Sequence, residues 1–335
     1  MRVLIIVIAT LLIAICVFSI YECRQKPGAP SQNVLSWYVP GVNKLKTKVD
    51  NLCNALATHQ SSATVQQAFC ESRLAYKEIE VLAEYFNPFT VQLINGKSDD
   101  TTANKEGKAF QQIERLLYPS LQIADTQMAY VEARKLAAAV NTLVQENERP
   151  APTDAQLFDA MRLELVRIIS LGISGFDSPE ACESMKEAAA SLEGVRHLWN
   201  LYADRVNIYN PSLVKYTEEL MTAAARQLSH GDRNHFNRQL FISDYMNHLS
   251  INLKLSREAL SIPYDDDTYV LDPAASNIFA RDAVHPLYVS ADAVQDSMGS
   301  NDPLYEINGQ QFRASYMYNL LQQNGALNTV AVDNR

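Results

Sequence analysis

Glycine and proline are scarce in this sequence, with 11 Gly and 13 Pro among 335 residues. Because both residues interrupt regular structure, long stretches without them favour helices over a fold of many short strands. The sequence also lacks a glycine-rich phosphate loop, a dinucleotide fingerprint and a G-x-S-x-G nucleophile motif. It therefore carries no signature of a nucleotide-binding enzyme or a serine hydrolase.

Cysteine is scarce as well, and its spacing is irregular. None of the five cysteines belongs to a CxxC pair, which excludes a zinc ribbon and a redox dithiol. None belongs to a CxxCH motif, which excludes covalent haem within this chain. Cys53 and Cys70 fall in neighbouring predicted helices. They are either a disulfide in an oxidising compartment or two small buried apolar residues, and the second interpretation is favoured.

Acidic residues outnumber basic residues: the sequence has 38 Asp and Glu but 29 Lys and Arg, and its net charge is −9. Phosphate contact needs clustered Lys and Arg, and the sequence has no basic stripe, so we expect no nucleic-acid partner. The apolar fraction of 47% and the charged fraction of 20% are normal for a globular protein with a buried core.

One long apolar run lies at the N-terminus. Residues 3–20 are almost wholly apolar, Arg2 precedes them, and Arg24 and Lys26 follow. Such a run just spans a bilayer core, and Tyr21 is placed where an interfacial aromatic residue lies. The run is long for a signal peptide, and no small-x-small cleavage site follows it. We therefore predict an uncleaved anchor, with a cleaved signal as the alternative, and a periplasmic chain held at the inner membrane.

Helical periodicity dominates the rest of the chain. In the first predicted helix apolar residues recur every three or four positions: Tyr38, Val42, Leu45, Val49, Leu52 and Leu56. Further helices are predicted over residues 63–86, 106–118, 124–146, 154–173, 179–208, 212–229 and 233–260. The helix over 179–208 is expected to begin with Ser178 as its N-cap and Pro179 as its first residue. Helices joined by short loops predict antiparallel bundles.

The predicted fold is all-α and has five parts. They are a signal or transmembrane anchor (1–22), a linker (23–35), a first helical bundle (36–148), a second helical bundle (149–263) and an irregular tail (264–335). In the tail, a short helix is predicted near residues 312–323. Three apolar tail residues are expected to pack onto the bundles: Phe279, Leu287 and Tyr288.

Several segments carry a resemblance to a known family. Residues 73–88 read RLAYKEIEVLAEYFNP, residues 109–118 read AFQQIERLLY, and residues 165–179 read LVRIISLGISGFDSP. With FISDY at 241–245, their order resembles the helical N-terminal region of bacterial di-haem cytochrome c peroxidases. This resemblance implies two imelysin-like four-helix bundles and a di-haem peroxidase, or another periplasmic redox protein, as partner. The peroxidase region itself, with its two CxxCH sites, is absent from the residues after 290.

That helical region is similar in turn to imelysin-like proteins, a family linked to iron uptake and to peptidase activity. Its hallmark is G-x-H-x-x-E, and the matching stretch here is Ala109-x-Gln111-x-x-Glu114, so only the Glu is kept. A Gln side chain cannot act as a general base, and its amide oxygen is a weak ligand for transition metals. Because Gln111 stands where the pattern has His, we do not expect peptidase activity, and we predict no catalytic residue.

The candidate binding residues are Glu80, Gln111, Glu114 and Arg162. If the second and third predicted helices are neighbours, Glu80 and Glu114 converge in the bundle core, where they would be the ligands of any metal. Alternatively, Glu80 or Glu114 forms a salt bridge between the bundles with Arg162 or Arg167, since buried carboxylates are usually paired.

The resemblance and these residues lead to one main functional expectation. We expect an exported, non-catalytic helical module that docks to or regulates a cytochrome c peroxidase-type system, with no cofactor of its own. The first alternative is an imelysin-like periplasmic protein that binds iron, another divalent metal or haem. A weaker alternative is an imelysin-like peptidase. His230, Asp232 and His235, which cluster at a predicted turn, are a minor candidate for a metal site.

Overall fold

The computed structural model describes residues 30–95, 109–146, 151–181, 183–264, 275, 304–307 and 310–313. In these ranges the helices are α1 (Pro30–Ala57), α2 (Ser62–Phe86), α3 (Pro88–Asn95), α4 (Ala109–Leu117), α5 (Thr126–Gln145), α6 (Asp154–Arg167), α7 (Ser184–Tyr209), α8 (Pro211–His230), α9 (Arg238–Phe241) and α10 (Asn247–Ala259). Two short strands, β1 (Leu304–Ile307) and β2 (Gln310–Arg313), pair as an antiparallel hairpin. Apart from that hairpin the described fold is all-α, which confirms the predicted class.

The first bundle is formed by α1, α2 and α5, with α3 and α4 together completing its fourth side. Ion pairs set the register of α1 and α2: Lys44 lies 2.5 Å from Glu78, and Lys48 lies 2.8 Å from Glu71. As the residue number rises in one helix it falls in the other, so the two helices are antiparallel. The apolar face predicted for the first helix, from Tyr38 to Leu56, is buried in this bundle.

The predicted linker over residues 23–35 is wrong from residue 30 onward, because α1 begins at Pro30 and Val34 is fully buried. Proline is well suited to the first turn of a helix, where its missing N–H has no partner to lose. The same property explains α3, an additional helix that starts at Pro88 directly after α2 ends. The predicted anchor lies outside the described residues. In the described ranges no helix combines the length and apolar character needed to cross a bilayer.

The second bundle is formed by α6, α7, α8 and α10. Its central helix is α6, which is buried on nearly every side and continues into a π-helical turn at Ile168–Gly172. The turn between α7 and α8 lies between the helices predicted over 179–208 and 212–229, where the Asn210 side chain accepts from the Leu213 N–H and Pro211 opens α8. The single helix predicted over 233–260 is instead α9, a π-helical turn at Ile242–Met246, and α10.

The predicted start of the sixth helix is wrong. Helix α7 begins at Ser184 rather than at Pro179, and residues 178–181 form a turn. Ser178 is buried and its hydroxyl donates to Glu114 at 3.1 Å. A tertiary acceptor has therefore overridden the local capping pattern, which depends only on sequence neighbours.

The tail is only partly described. The predicted irregular structure is wrong at β1 and β2, and the helix predicted near 312–323 overlaps β2 at its first two residues. The remainder of that helix lies outside the described residues, as do Phe279, Leu287 and Tyr288. Ala275 is buried, and its carbonyl accepts from Arg162 at 3.2 Å, so the tail contacts the second bundle at this point.

The two bundles meet along α2 and α7, which run in the same direction. Gly194 makes the close approach possible, because a Cβ atom there would lie 2.5 Å from the carbonyl oxygen of Glu78. The candidate site lies along this junction and is built from buried charged side chains.

Candidate functional site

Arg73 is the hub of a buried ion-pair network between the bundles. Its guanidinium contacts both carboxylate oxygens of Glu187 on α7, with an Nε–Oε1 distance of 2.9 Å. It also donates to the side chain of Asn95 on α3, and to the carbonyl of Asp177 at 2.8 Å. Burial alone lowers the pKa of Arg73, but Glu187 and Asp177 outweigh burial and raise it. Arg73 therefore stays charged and ties three parts of the chain together.

Lys77 lies one turn further along α2 and forms the second centre of the network. Its Nζ donates to the Glu80 carboxylate at 2.6 and 2.8 Å, and to Asp177 Oδ2 at 2.6 Å. The Ser191 hydroxyl on α7 donates to Glu80 at 2.7 Å. Burial lowers the pKa of Lys77, but Asp177 and Glu80 outweigh it and raise the pKa. For Asp177, burial raises the pKa, whereas Lys77 and Arg73 bring it below the usual value.

A second group of charges adjoins Glu80. Arg167 lies 3.6 Å from Glu164 and 3.6 Å from Glu84, and the Tyr76 hydroxyl donates to Glu84 at 2.7 Å. Glu164 is 0% exposed, and neither of its carboxyl oxygens accepts a hydrogen bond. Burial, together with the neighbouring charge of Glu80, raises its pKa well above the ordinary value. Burial and the charge of Glu80 thus both favour the protonated, neutral form of Glu164.

Glu114 on α4 holds the turn that precedes α7. Its Oε1 accepts from the Ser178 hydroxyl at 3.1 Å, the Glu180 N–H at 3.1 Å and the Ala181 N–H at 2.8 Å. Burial raises the pKa of Glu114, while the Ala181 N–H and the charge of Arg73 act in the opposite direction. The carboxylate thus receives three protein donors, and it sits close enough to Arg73 to belong to the same electrostatic cluster.

The predicted site residues are only partly brought together. Glu80 and Glu114 are both buried beside the bundle junction, but Glu80 pairs with Lys77 and Glu114 binds the 178–181 turn. Gln111 is half-buried, one turn before Glu114. Arg162 lies elsewhere, because its guanidinium donates to Ser250 at 3.3 Å and to the tail.

The central cations were not among the predicted site residues. Arg73 and Lys77 occupy the face of α2 that also carries buried Phe69 and Tyr76. A charged residue at a position whose helical neighbours are apolar is a signal of a buried ion pair, and it is visible in the sequence. Asp177, which directly precedes the predicted helix start at Ser178, is a full member of the network.

The network contains more acid than base. Its carboxyl groups are Glu80, Glu84, Glu114, Glu164, Asp177 and Glu187, and its cations are Arg73, Lys77 and Arg167. Six ionised carboxylates facing three cations would leave uncompensated charge in a dry interior, which is costly. A proton held on Glu164 reduces that excess.

The donor set around Glu114 is poorly suited to iron. Carboxylates do bind iron, but Oε1 of Glu114 already accepts three hydrogen bonds, and Gln111 offers a weakly ligating amide where the G-x-H-x-x-E pattern has an imidazole. In the described part of the chain, no group of three or more His, Cys, Asp or Glu side chains is arranged to hold a metal ion.

The remaining sequence candidates are surface or packing features. His235 Nδ1 contacts Asp232 at 2.6 Å on the exposed surface, while His230 Nδ1 contacts the Arg226 carbonyl. Cys53 and Cys70 are free thiols, so the disulfide alternative is wrong. No protein-family model matches this sequence, and no curated protein matches it either.

Proposed function

We propose that this chain is an exported, membrane-anchored, non-catalytic module built from imelysin-like bundles that docks to or regulates a di-haem peroxidase-type redox partner. The observation that carries the non-catalytic part is the state of Glu114. The one residue retained from the G-x-H-x-x-E pattern has its Oε1 occupied by Ser178 and two backbone N–H groups. A general base needs a lone pair within reach of the proton that it removes, and this carboxylate serves the fold instead.

The burial of the rest of the network supports the same conclusion. Arg73, Lys77, Glu80 and Glu187 are each no more than 2% exposed. A peptide substrate would have to separate the two bundles before it reached any of these groups. Charges at such depth are retained where they lock one packing arrangement against alternatives, which is a structural role.

The docking part rests on the resemblance to the peroxidase-associated helical region. The three longest resembling segments all contribute to the network: residues 73–88 supply Arg73 and Lys77, residues 109–118 supply Glu114, and residues 165–179 supply Asp177. The resemblance therefore falls on residues with a shared structural task rather than on scattered surface positions.

The direct test is binding to a bacterial di-haem cytochrome c peroxidase, the class of partner that the resemblance implies. The full chain, solubilised in detergent, is immobilised and the peroxidase is titrated by biolayer interferometry. Transient redox complexes have small interfaces, so we expect a dissociation constant on the order of micromolar. A single-haem cytochrome c of similar net charge is the control. Absence of binding at roughly one hundred times that concentration, together with unchanged peroxide turnover, would refute the docking role.

A second measurement distinguishes the docking proposal from the alternative that the protein binds a metal or haem. Thermal unfolding of the full chain is followed with ferrous iron, copper, zinc or haem, for the wild type and for Glu114→Ala. A ligand that binds only the folded state must raise the melting temperature with concentration. We expect no such rise. A rise in the wild type that is lost in Glu114→Ala would replace the docking proposal with a ligand-binding function.

A further inference from the structure

Several helix ends meet at one end of the molecule. Gly41 packs on Ile79, and Lys44 pairs with Glu78. Two residues of α1 and α2 at the same height along the bundle therefore have residue numbers that add up to about 120. The first residues of α1 are therefore level with Phe86 and the start of α3. Asn87 and Thr90 both donate to Glu146, which places the last residues of α5 at this height too. We call this the proximal end.

Helix α7 points toward the proximal end and extends beyond α2. Arg73 pairs with Glu187, and Trp37 stacks on His197 with ring centroids 4.6 Å apart. Each contact joins a residue of the first bundle to a residue of α7 at the same height. Residue numbers therefore rise in the same direction along α2 and along α7. The final residues of α7 consequently lie past the last residue of α2.

Large apolar side chains are exposed at the proximal end. Phe89, in the first turn of α3, is 69% exposed. Ile208 is 77% exposed and Tyr209 is 68% exposed, at the turn between α7 and α8. Burying such groups in an apolar medium is favourable, so their position at this end makes it a candidate for contact with lipid if the membrane is near.

Three segments at the proximal end carry no charge, although charged residues border them: Arg205 lies 3.5 Å from Asp154, and Glu148 and Arg149 follow Glu146 in the sequence. No Asp, Glu, Lys or Arg occurs between Lys26 and Lys44, within α3, or between Arg205 and Lys215. The Glu146 carboxylate at this end is held by Asn87 and Thr90. A surface that meets lipid has to avoid charged groups, because these are costly to move away from water.

The apolar N-terminal run is joined to the molecule at the same end. Residues 3–20 are long enough to span a bilayer, and α1 begins at Pro30. An extended chain advances by no more than about 3.6 Å per residue, so the segment between residue 20 and Pro30 reaches at most about 36 Å. Wherever that run enters a bilayer, the proximal end is held within this distance of the lipid surface.

We propose that the proximal end lies against the membrane and that Phe89, Ile208 and Tyr209 enter the lipid interface. The surface comprises these three residues. The proposal rests on the membrane anchor that forms part of the proposed function, and the occupant is a phospholipid bilayer. Arg205, one turn before Ile208 and Tyr209, lies 3.5 Å from Asp154, so its charge is paired within the protein, and the aromatic and aliphatic side chains are suited to the interfacial region itself rather than to anionic headgroups. The contact therefore does not depend on acidic lipid.

The test uses the full chain reconstituted in phosphatidylcholine vesicles whose acyl chains carry bromine, which quenches tryptophan fluorescence at short range. Single variants Phe89→Trp and Ile208→Trp report on the proximal end. Ile123→Trp is the matched control, because Ile123 is 96% exposed but precedes α5 at the opposite end of the first bundle. The signal of Trp37 and Trp199, measured in the wild type, is subtracted.

We expect the tryptophan added at Phe89 or at Ile208 to be quenched at least about twice as strongly as the one added at Ile123. Equal quenching of all three variants, in protein that floats with the vesicles, overturns the proximal surface while leaving the anchor intact. Protein that fails to float with the vesicles overturns both the anchor and the surface. Replacing part of the phosphatidylcholine by phosphatidylglycerol should leave the quenching unchanged, and quenching that appears only with the anionic lipid refutes the uncharged interfacial contact.

Discussion

Replacing Arg73 by methionine tests the central claim that the bundles are locked by buried charge. Methionine keeps much of the length and the apolar stem of arginine but removes all of its hydrogen-bond donors. In the folded protein Glu187 then remains buried without its cation, and Asn95 and the carbonyl of Asp177 lose a donor. These groups are separated from water by the packing of α2 against α7, so solvent cannot replace the lost contacts.

The expected loss follows from that geometry. Breaking a buried ion pair by removing one partner costs about 3–5 kcal/mol, because the other charge is left uncompensated. Natural domains are stable by only about 5–15 kcal/mol, so Arg73→Met should remove a large share of the free energy of unfolding. The matched control is Lys44→Met, whose pair with Glu78 has side chains 48% and 39% exposed. Exposed pairs contribute about 0–1 kcal/mol.

Urea unfolding of the two variants and the wild type measures the difference in unfolding free energy. The comparison requires that the dependence of this free energy on urea concentration is the same in all three proteins. A third variant, Arg73→Met combined with Glu187→Leu, removes the isolated carboxylate and should recover part of the loss, since an apolar pair tolerates the dry site. If Arg73→Met and Lys44→Met are equally stable, the network is not a source of rigidity and the structural interpretation is wrong.

Three further predictions concern single residues. Burial and a neighbouring carboxylate raise the pKa of Glu164 above 4.5, so the folded state retains a proton that the unfolded state releases, and the free energy of unfolding falls as the pH rises above that value. Glu164→Gln should therefore melt at a higher temperature than the wild type near pH 8, with a smaller gap near pH 5, and a gap independent of pH contradicts this. Glu114→Ala leaves three donors without an acceptor and should lower the unfolding free energy by about 1–3 kcal/mol. Gln111 is half-buried, so Gln111→Ala should lower it by less than about 1 kcal/mol. Equal losses of unfolding free energy in urea denaturation would refute this difference. Gly194→Ala places a Cβ atom 2.5 Å from the backbone oxygen of Glu78, which cannot rotate away, so the variant should lose about 1–3 kcal/mol. An unchanged melting temperature would show that α2 and α7 move apart freely.

The errors in the sequence prediction share one cause. The predicted end of the second helix at residue 86 is confirmed, but Pro88 also begins α3, which the sequence pattern did not indicate. Ser178 and Pro179 have the composition of a helix start, yet α7 begins at Ser184 because Glu114 binds the turn instead. Both patterns are local, and a local pattern is equally compatible with a helix start and with a turn held from a distance.

The candidate site shows the same limit more strongly. Glu80 and Glu114 are both buried, because each carboxylate falls on a largely apolar helix face, but they do not converge on a shared site. Their partners were not predictable from the sequence. Lys77 and Asp177 are 100 residues apart, and Arg73 and Glu187 are 114 apart. Which charges meet depends on the crossing of α2 and α7, and that crossing depends on close packing at Gly194.

By itself, the sequence determined the helical class, the buried face of the first helix, the turn at Asn210–Pro211 and the uncharged stretch that precedes Lys44. Each of these depends on residues within a few turns of one another, where periodicity and capping act. Only the tertiary structure decided that Arg73 and Lys77 form the centre of the network, that Glu164 lacks a donor, and that Phe89 and Ile208 share one end. The physical reason is that an ion pair or an exposed patch is a property of distances between helices, which no local spacing encodes.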